Sequence, residues 1–283
     1  MDDLISVIVA TYNREDALGA VLRSLSRQTE LHFEIIVADD GSRPATASLV
    51  ETWAARMPVA LKHVWHEDRG FRLAEIRNRA IRAGTGRYCV FLDGDCIARA
   101  DFVAAHRRLA EPGCFVTGNR VLLSRSLSER ILAQGLEPER WSMGDFIARR
   151  WHGDLNRATP LLRLPLGPLR KLGGRRWRGA RGGNMGFFRD DLEKIDGFDA
   201  SYTGWGREDS DVFVRLIRAG VQRKDGRFAT GVLHLWHPER ERSQLADNDA
   251  RLDLALQSDD WRALHGLSAL DEVVRYDADQ AGA

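Results

Sequence analysis

Over the first ninety or so residues, β-branched runs alternate with helical spacings, and that alternation restricts the fold more than any other feature. Residues 4–10 are the kind of run that a parallel sheet buries on both faces, and residues 14–28 then set Leu18, Val21, Leu22 and Leu25 on one helical face. The pattern recurs with a strand at 33–38 and a helix after Pro44, a strand at 60–65 and a helix at 73–83, and a strand at 88–92. Such a chain predicts an α/β fold with a mostly parallel, Rossmann-like sheet flanked by helices. Ligands of these sheets bind beyond the carboxyl ends of the strands. Those ends read Ala10-Thr11-Tyr12-Asn13, Ala38-Asp39-Asp40-Gly41-Ser42, His66-Glu67-Asp68-Arg69 and Asp93-Gly94-Asp95, all of them polar.

With 42 basic against 41 acidic residues the net charge is +1, so no global field points to a nucleic-acid partner and any electrostatic function is local. The 283 residues suffice for a large α/β domain without staples. Cys89, Cys96 and Cys114, an odd number without paired spacing, fit a reducing compartment. The first residues show no basic-then-apolar leader and no apolar run is long enough to span a bilayer. The expected location is cytoplasmic, with a peripheral place at the inner membrane face left open.

Residues 124–160 are expected to be mostly helical. Residues 161–183 then carry seven basic side chains (Arg163, Arg170, Lys171, Arg175, Arg176, Arg178 and Arg181) and no acidic one, which predicts an irregular basic loop. Three readings of it stay open: a solvated loop, a site for an anionic glycan or diphosphate, and a patch for peripheral attachment to an anionic membrane. A strand at 185–188, a turn at Asp196-Gly197-Phe198, a helix at 208–219 with Val212, Leu216 and Ile217 inward, and a strand at 231–235 follow. The predicted organisation is one domain over 1–240, with a nucleotide-binding half (1–120) and an acceptor-binding, catalytic half (121–240), and a loosely packed helical tail over 241–283.

Three constellations carry chemistry. Asp93-Gly94-Asp95 closes a buried strand, so two carboxylates stand at the sheet rim where a divalent cation bridging a diphosphate wants hard oxygen ligands; a solvated Asx turn is the plain alternative. His234 and His237 put two imidazoles three apart after a late strand, a set that with a carboxylate suits manganese over calcium, magnesium staying open. Gly204-Trp205-Gly206-Arg207-Glu208-Asp209-Ser210-Asp211 sets three carboxylates at a helix start, where capping alone could account for them. An indole between glycines suits sugar stacking or a moving lid, and a carboxylate beside it can take a proton from an attacking hydroxyl. Arg69 and Arg77-Asn78 read as helix-surface salt bridges or as phosphate-neutralising groups.

With these motifs in place, the chain resembles the inverting family 2 glycosyltransferases. Residues 6–14, 37–42 and 93–95 look like that family's landmarks in order, and Gly182-Gly183-Asn184, residues 204–209 and residues 234–237 are similar to the galactosyltransferase-type segment of bacterial chondroitin-polymerase-like enzymes and β-1,4-galactosyltransferases. The resemblance implies a GT-A fold and a metal-dependent hexosyltransferase acting from a UDP-sugar (galactose, N-acetylgalactosamine or N-acetylglucosamine) on a glycan or glycolipid acceptor in polysaccharide or lipopolysaccharide synthesis. It further implies that Thr11, Tyr12, Asn13 and Asp39 hold the uridine, with Asp39 at the uracil edge, and that Asp68, Arg77, Gly183, Asn184 and Trp205 shape the nucleotide-sugar pocket. Asp93 would meet ribose or metal, Asp95, His237 and His234 would bind Mn2+ (or Mg2+), Asp209 would be the base and Glu208 would orient acceptor or sugar. Ser210 interrupts what is often a longer acidic run. The rival readings are a nucleotidyl- or phosphosugar transferase, which usually carries a lysine-bearing phosphate loop where this chain has Ala10-Thr11-Tyr12-Asn13-Arg14, and a catalytically silent glycan-binding module.

Overall fold

The computed structural model describes residues 3–239 and 241–270. Chain order runs β1 (Ile5–Thr11), α1 (Glu15–Leu25), β2 (Phe33–Asp39), α2 (Pro44–Ala54), β3 (Leu61–Trp65), α3 (Leu73–Ala83) and β4 (Tyr88–Asp93). It continues through β5 (Cys96–Ile97), α4 (Phe102–Leu109), β6 (Cys114–Thr117), β7 (Arg120–Leu122), α5 (Arg125–Gln134) and α6 (Met143–Trp151). The last elements are β8 (Asn184–Phe188), α7 (Arg189–Lys194), α8 (Glu208–Arg218), β9 (Gln222–Asp225), β10 (Val232–His234) and α9 (Leu245–Gln257).

The main sheet has the order β3-β2-β1-β4-β8-β6-β9. β1, β2, β3 and β4 are parallel, as the alternating pattern predicts, and β8 runs antiparallel to both β4 and β6. Side-chain alternation divides the core into two layers. Ile5, Val7 and Val9 face Leu18, Val21 and Leu22 of α1, while Ile8, Ile36 and Phe91 face Ile76, Ala80 and Ile81 of α3. β1, β2 and β4 therefore bury both faces, which is why they read as mostly apolar runs.

Two pairings bring distant sequence to the rim of that sheet. Because β8 runs against β4, Leu92 pairs with Asn184, and the amide of Asp93 donates to the Gly183 carbonyl at 3.2 Å. A small second sheet, β5-β10-β7, pairs His234 with Cys96, and Leu235 N donates to Asp95 O at 2.9 Å. The third apolar cluster, in which Ile97, Val121 and Leu233 pack on Leu127, Ile131 and Phe146, holds this sheet against α5 and α6.

The structure departs from the sequence reading in two places. Residues 161–183 are not a merely solvated loop: a 3-10 turn spans Gly167–Lys171, and Arg170 is buried with its guanidinium donating to the carbonyls of Asp225, Arg227 and Leu164 at 2.6–2.8 Å. Nor is the tail loose. Asn248 of α9 is buried and donates to the carbonyls of Thr203 and Gly206, both at 2.9 Å, Arg207 pairs with Asp249, and Leu267 joins the core. Residues 271–283 of the expected tail lie outside the described residues. Among the described residues no helix is long and apolar enough to cross a membrane.

Candidate active site

A cavity of about 730 Å³ opens beyond the carboxyl ends of β1 and β4, walled by residues 179–183, by the loop entering α8 and by the chain leaving β10. Three groups of charged side chains converge there.

Asp95, His234 and His237 form the first. The Nε2 atoms of His234 and His237 lie 3.5 and 3.4 Å from the Asp95 carboxylate oxygens, and all three potential ligand atoms fall within 4.8 Å of one another. His237 Nδ1 is 2.7 Å from the Pro238 carbonyl, which can only accept, so in the neutral ring the proton sits on Nδ1 and the Nε2 lone pair faces Asp95. Burial pushes the His234 pKa down, against the pull of Asp95, and favours its neutral form. One carboxylate and two imidazoles thus offer three potential ligand atoms at one point. Asp95, His234 and His237 could together hold a divalent cation.

Asp93, Arg77, Arg120 and Glu208 form the second. Arg120 Nη1 donates to Asp93 at 2.9 Å, and Arg77 bridges Asp93 at 3.4 Å and Glu208 at 3.3 Å. Arg77 is 2% exposed, so the reading of it as a helix-surface ion pair is wrong: it is a buried strut between β4 and α8. The backbone at Gly183 passes so close that a Cβ there would sit 2.0 Å from an Asp93 oxygen, and its φ of +80° independently requires glycine.

The third group is the start of α8. The N-cap, Arg207, is left-handed (φ +79°) and makes no side-chain cap. Asp209 accepts from Gly182 N at 2.5 Å and from Ser210 N at 2.7 Å, while Asp211 turns inward to Arg215 at 2.6 Å. Burial, then the charge of Asp209, raise the Glu208 pKa to about 7 against the opposing pull of Arg77, and its Oε2 atom is buried without a hydrogen-bond partner. Trp205 is 39% exposed at the cavity edge, with the Arg242 guanidinium 4.8 Å from its ring centre.

Several residues expected to touch nucleotide do not line the cavity. Asp39 is fully buried; it accepts from Ser42 N at 2.8 Å and meets His63 Nε2 at 3.0 Å, because it still belongs to β2 and follows that strand's inward alternation. The next residue, Asp40, lines the cavity instead, held by His66 Nε2 at 2.7 Å and by Arg72 N. Asn13 is a loop clamp in left-handed conformation, accepting from Arg43 N and donating its own amide to Ser42. Asn184 is fully buried between His106 and the carbonyls of Asn119 and Thr230. Asp68 is exposed and accepts from the Tyr12 hydroxyl at 2.8 Å. Thr11, Tyr12, Arg77, Asp93 and Gly183 do line it. Sequence reasoning missed Asp40 as a wall residue and Arg120 altogether; the first was one position away in a quoted motif, and the second stands in no motif.

Residues 6–195 match glycosyl transferase family 2. The chain belongs to that family. Residues 173–237 of this family 2 glycosyltransferase also match a segment described as the N-terminal domain of galactosyltransferase. It is 30% identical over 251 residues to validoxylamine A glucosyltransferase of Streptomyces hygroscopicus subsp. limoneus, covering 81% of this chain and 51% of that protein. It is 28% identical over 235 residues to chondroitin synthase of Escherichia coli, covering 77% and 33%. The chain thus spans about half the length of the first of these relatives and about a third of the second. Among solved structures it resembles the Pyrobaculum calidifontis mannosyltransferase PcManGT, in complex with GDP-Man and Mn2+ (22% identity, TM-score 0.58, 90% of this chain and 64% of that one). It also resembles S. aureus TarS 1-349 in complex with UDP-GlcNAc (15% identity, TM-score 0.60, 90% and 66%). These likenesses establish the GT-A fold.

Proposed function

We propose that this family 2 glycosyltransferase moves a hexose from a UDP-sugar to a hydroxyl of a glycan or glycolipid acceptor, with inversion and with Mn2+ or Mg2+ held by Asp95, His234 and His237. The observation that carries the reading is the meeting of that triad with Asp209 across one cavity. The bound cation would supply positive charge to the diphosphate as it leaves. Asp209, oriented by two backbone amides, accepts the proton of the attacking hydroxyl. One in-line displacement inverts the anomeric centre. Glu208, beside Asp209 and fixed by Arg77, orients the acceptor or the sugar. Tyr12 and Asp40 flank the nucleobase end, and Trp205 offers an apolar face to a sugar ring. Uridine is supported by the resemblance and by the UDP-GlcNAc complex of TarS, whereas the GDP-Man complex of PcManGT makes guanosine the competing donor base. A panel of UDP- and GDP-sugars assayed for hydrolysis with manganese, and again with EDTA, tests all of this. Release of UDP in the manganese arm alone is expected; metal-independent release, or release of GDP only, would overturn the corresponding part.

A further inference from the structure

The seven cations of residues 161–183 divide into two sets. Arg163 pairs with Asp101, Arg170 is buried on three carbonyls and Lys171 pairs with Glu111, so the first three fasten the segment to the body. Arg175, Arg176, Arg178 and Arg181 are exposed and, among the described residues, face no carboxylate. The last of them reaches the cavity wall. Every other guanidinium along that wall has a carboxylate partner: Arg14 with Asp16, Arg77 and Arg120 with Asp93, Arg207 with Asp249, Arg242 with Glu239. Among the described residues of that wall, Arg181 alone has no carboxylate partner, and it is adjacent in the chain to Gly182, whose amide holds Asp209.

That adjacency decides which substrate meets it. The donor's diphosphate belongs at Asp95, His234 and His237, where the cation would sit, whereas the attacking hydroxyl must lie beside Asp209. We infer that Arg181 forms an anion subsite for the acceptor, so that the acceptor carries a carboxylate or phosphate close to the hydroxyl that is glycosylated. A planar guanidinium grips either group through paired hydrogen bonds. The inference rests on the proposed glycosyl transfer and extends it by naming the acceptor's charge.

The test is an array of neutral, uronate-bearing and phosphate-bearing oligosaccharides, including lipid-linked sugar phosphates, probed with the wild-type protein, Arg181→Ala and Arg181→Lys. UDP affinity is measured alongside. The wild type should favour acidic over neutral members of matched pairs by about tenfold, in line with one charge-assisted contact. Arg181→Ala should remove that preference, Arg181→Lys should restore part of it, and the UDP dissociation constant should stay the same in all three. The uronate and phosphate arms show which anion is meant. Equal signals across pairs, no signal on either member, or an unchanged preference in Arg181→Ala would overturn the subsite. Weakened UDP binding in Arg181→Ala would overturn it too, by assigning the guanidinium to the donor. A wild-type protein that neither binds UDP nor releases it from any sugar donor would instead sink the transferase reading itself.

Discussion

At the end of β2 the two acidic side chains lean on histidines, Asp39 on His63 and Asp40 on His66. Between β4 and α8 the acidic side chains lean on arginines, Asp93 on Arg77 and Arg120, Glu208 on Arg77. The first pair of contacts can trade a proton, and the second cannot, because a guanidinium stays charged throughout the accessible pH range. The difference suits the proposed donor placement: a nucleobase at the β2 rim would be neutral and ask only for hydrogen bonds, whereas a diphosphate near the carboxylates of β4 and α8 would be repelled unless permanent positive charge were already in place.

Breaking the arginine-and-metal side should have the largest effect. Asp95→Ala, or chelation of the wild type, is expected to abolish donor turnover and to remove the metal dependence of UDP binding by calorimetry. Asp209→Asn should lower the turnover number by about three orders of magnitude while leaving UDP affinity within about twofold, since a general base acts on the transition state. Arg77→Met leaves Asp93 and Glu208 without their buried partner and should cost about 3 kcal/mol in chemical denaturation; a loss comparable to a surface substitution would show that the strut is not structural.

The pH dependence sharpens the same contrast. The Glu208 pKa is raised from 4.5 to about 7, so the unfolded chain releases this proton first and stability should fall as pH rises between those values. Glu208→Gln should flatten that stretch of a melting-temperature profile. For His66, burial lowers the pKa but the hydrogen bonds to Asp40 and Glu75 outweigh it and raise it above 6.5. Its stabilisation is therefore complete below 6.5 and is lost as pH rises through the raised value, and His66→Gln should remove that alkaline loss. The smallest effect is expected from Asn248→Ala, about 1–2 kcal/mol for two buried carbonyls left without a donor.

β1, β2 and β4 were legible because both their faces are buried, which leaves an apolar signature in one dimension. β8 and β10 also stand where strands are expected, at 185–188 and 231–235, whereas β5, β6, β7 and β9 have no counterpart in the sequence reading. β9 reads Gln-Arg-Lys-Asp and is a polar edge strand, and β5 and β7 are too short to show a period. In the site, Asp95 and the two histidines could be picked out by residue type, because few side chains combine those donors at a strand end. Which of the two aspartates after β2 lines the cavity could not be read locally: β2 continues through Asp39, and it is Asp40 that stands in the wall. Arg120 gave no signal, since its role depends on β7 lying beside β10, a contact that no local pattern encodes.

Asn248 grips the carbonyls of Thr203 and Gly206, on either side of Trp205. The position of the indole is thus set by α9, whose first residue, Leu245, itself lines the cavity. A fusion, tag or binding protein that pried this helix away would therefore displace Trp205 and one edge of the cavity together.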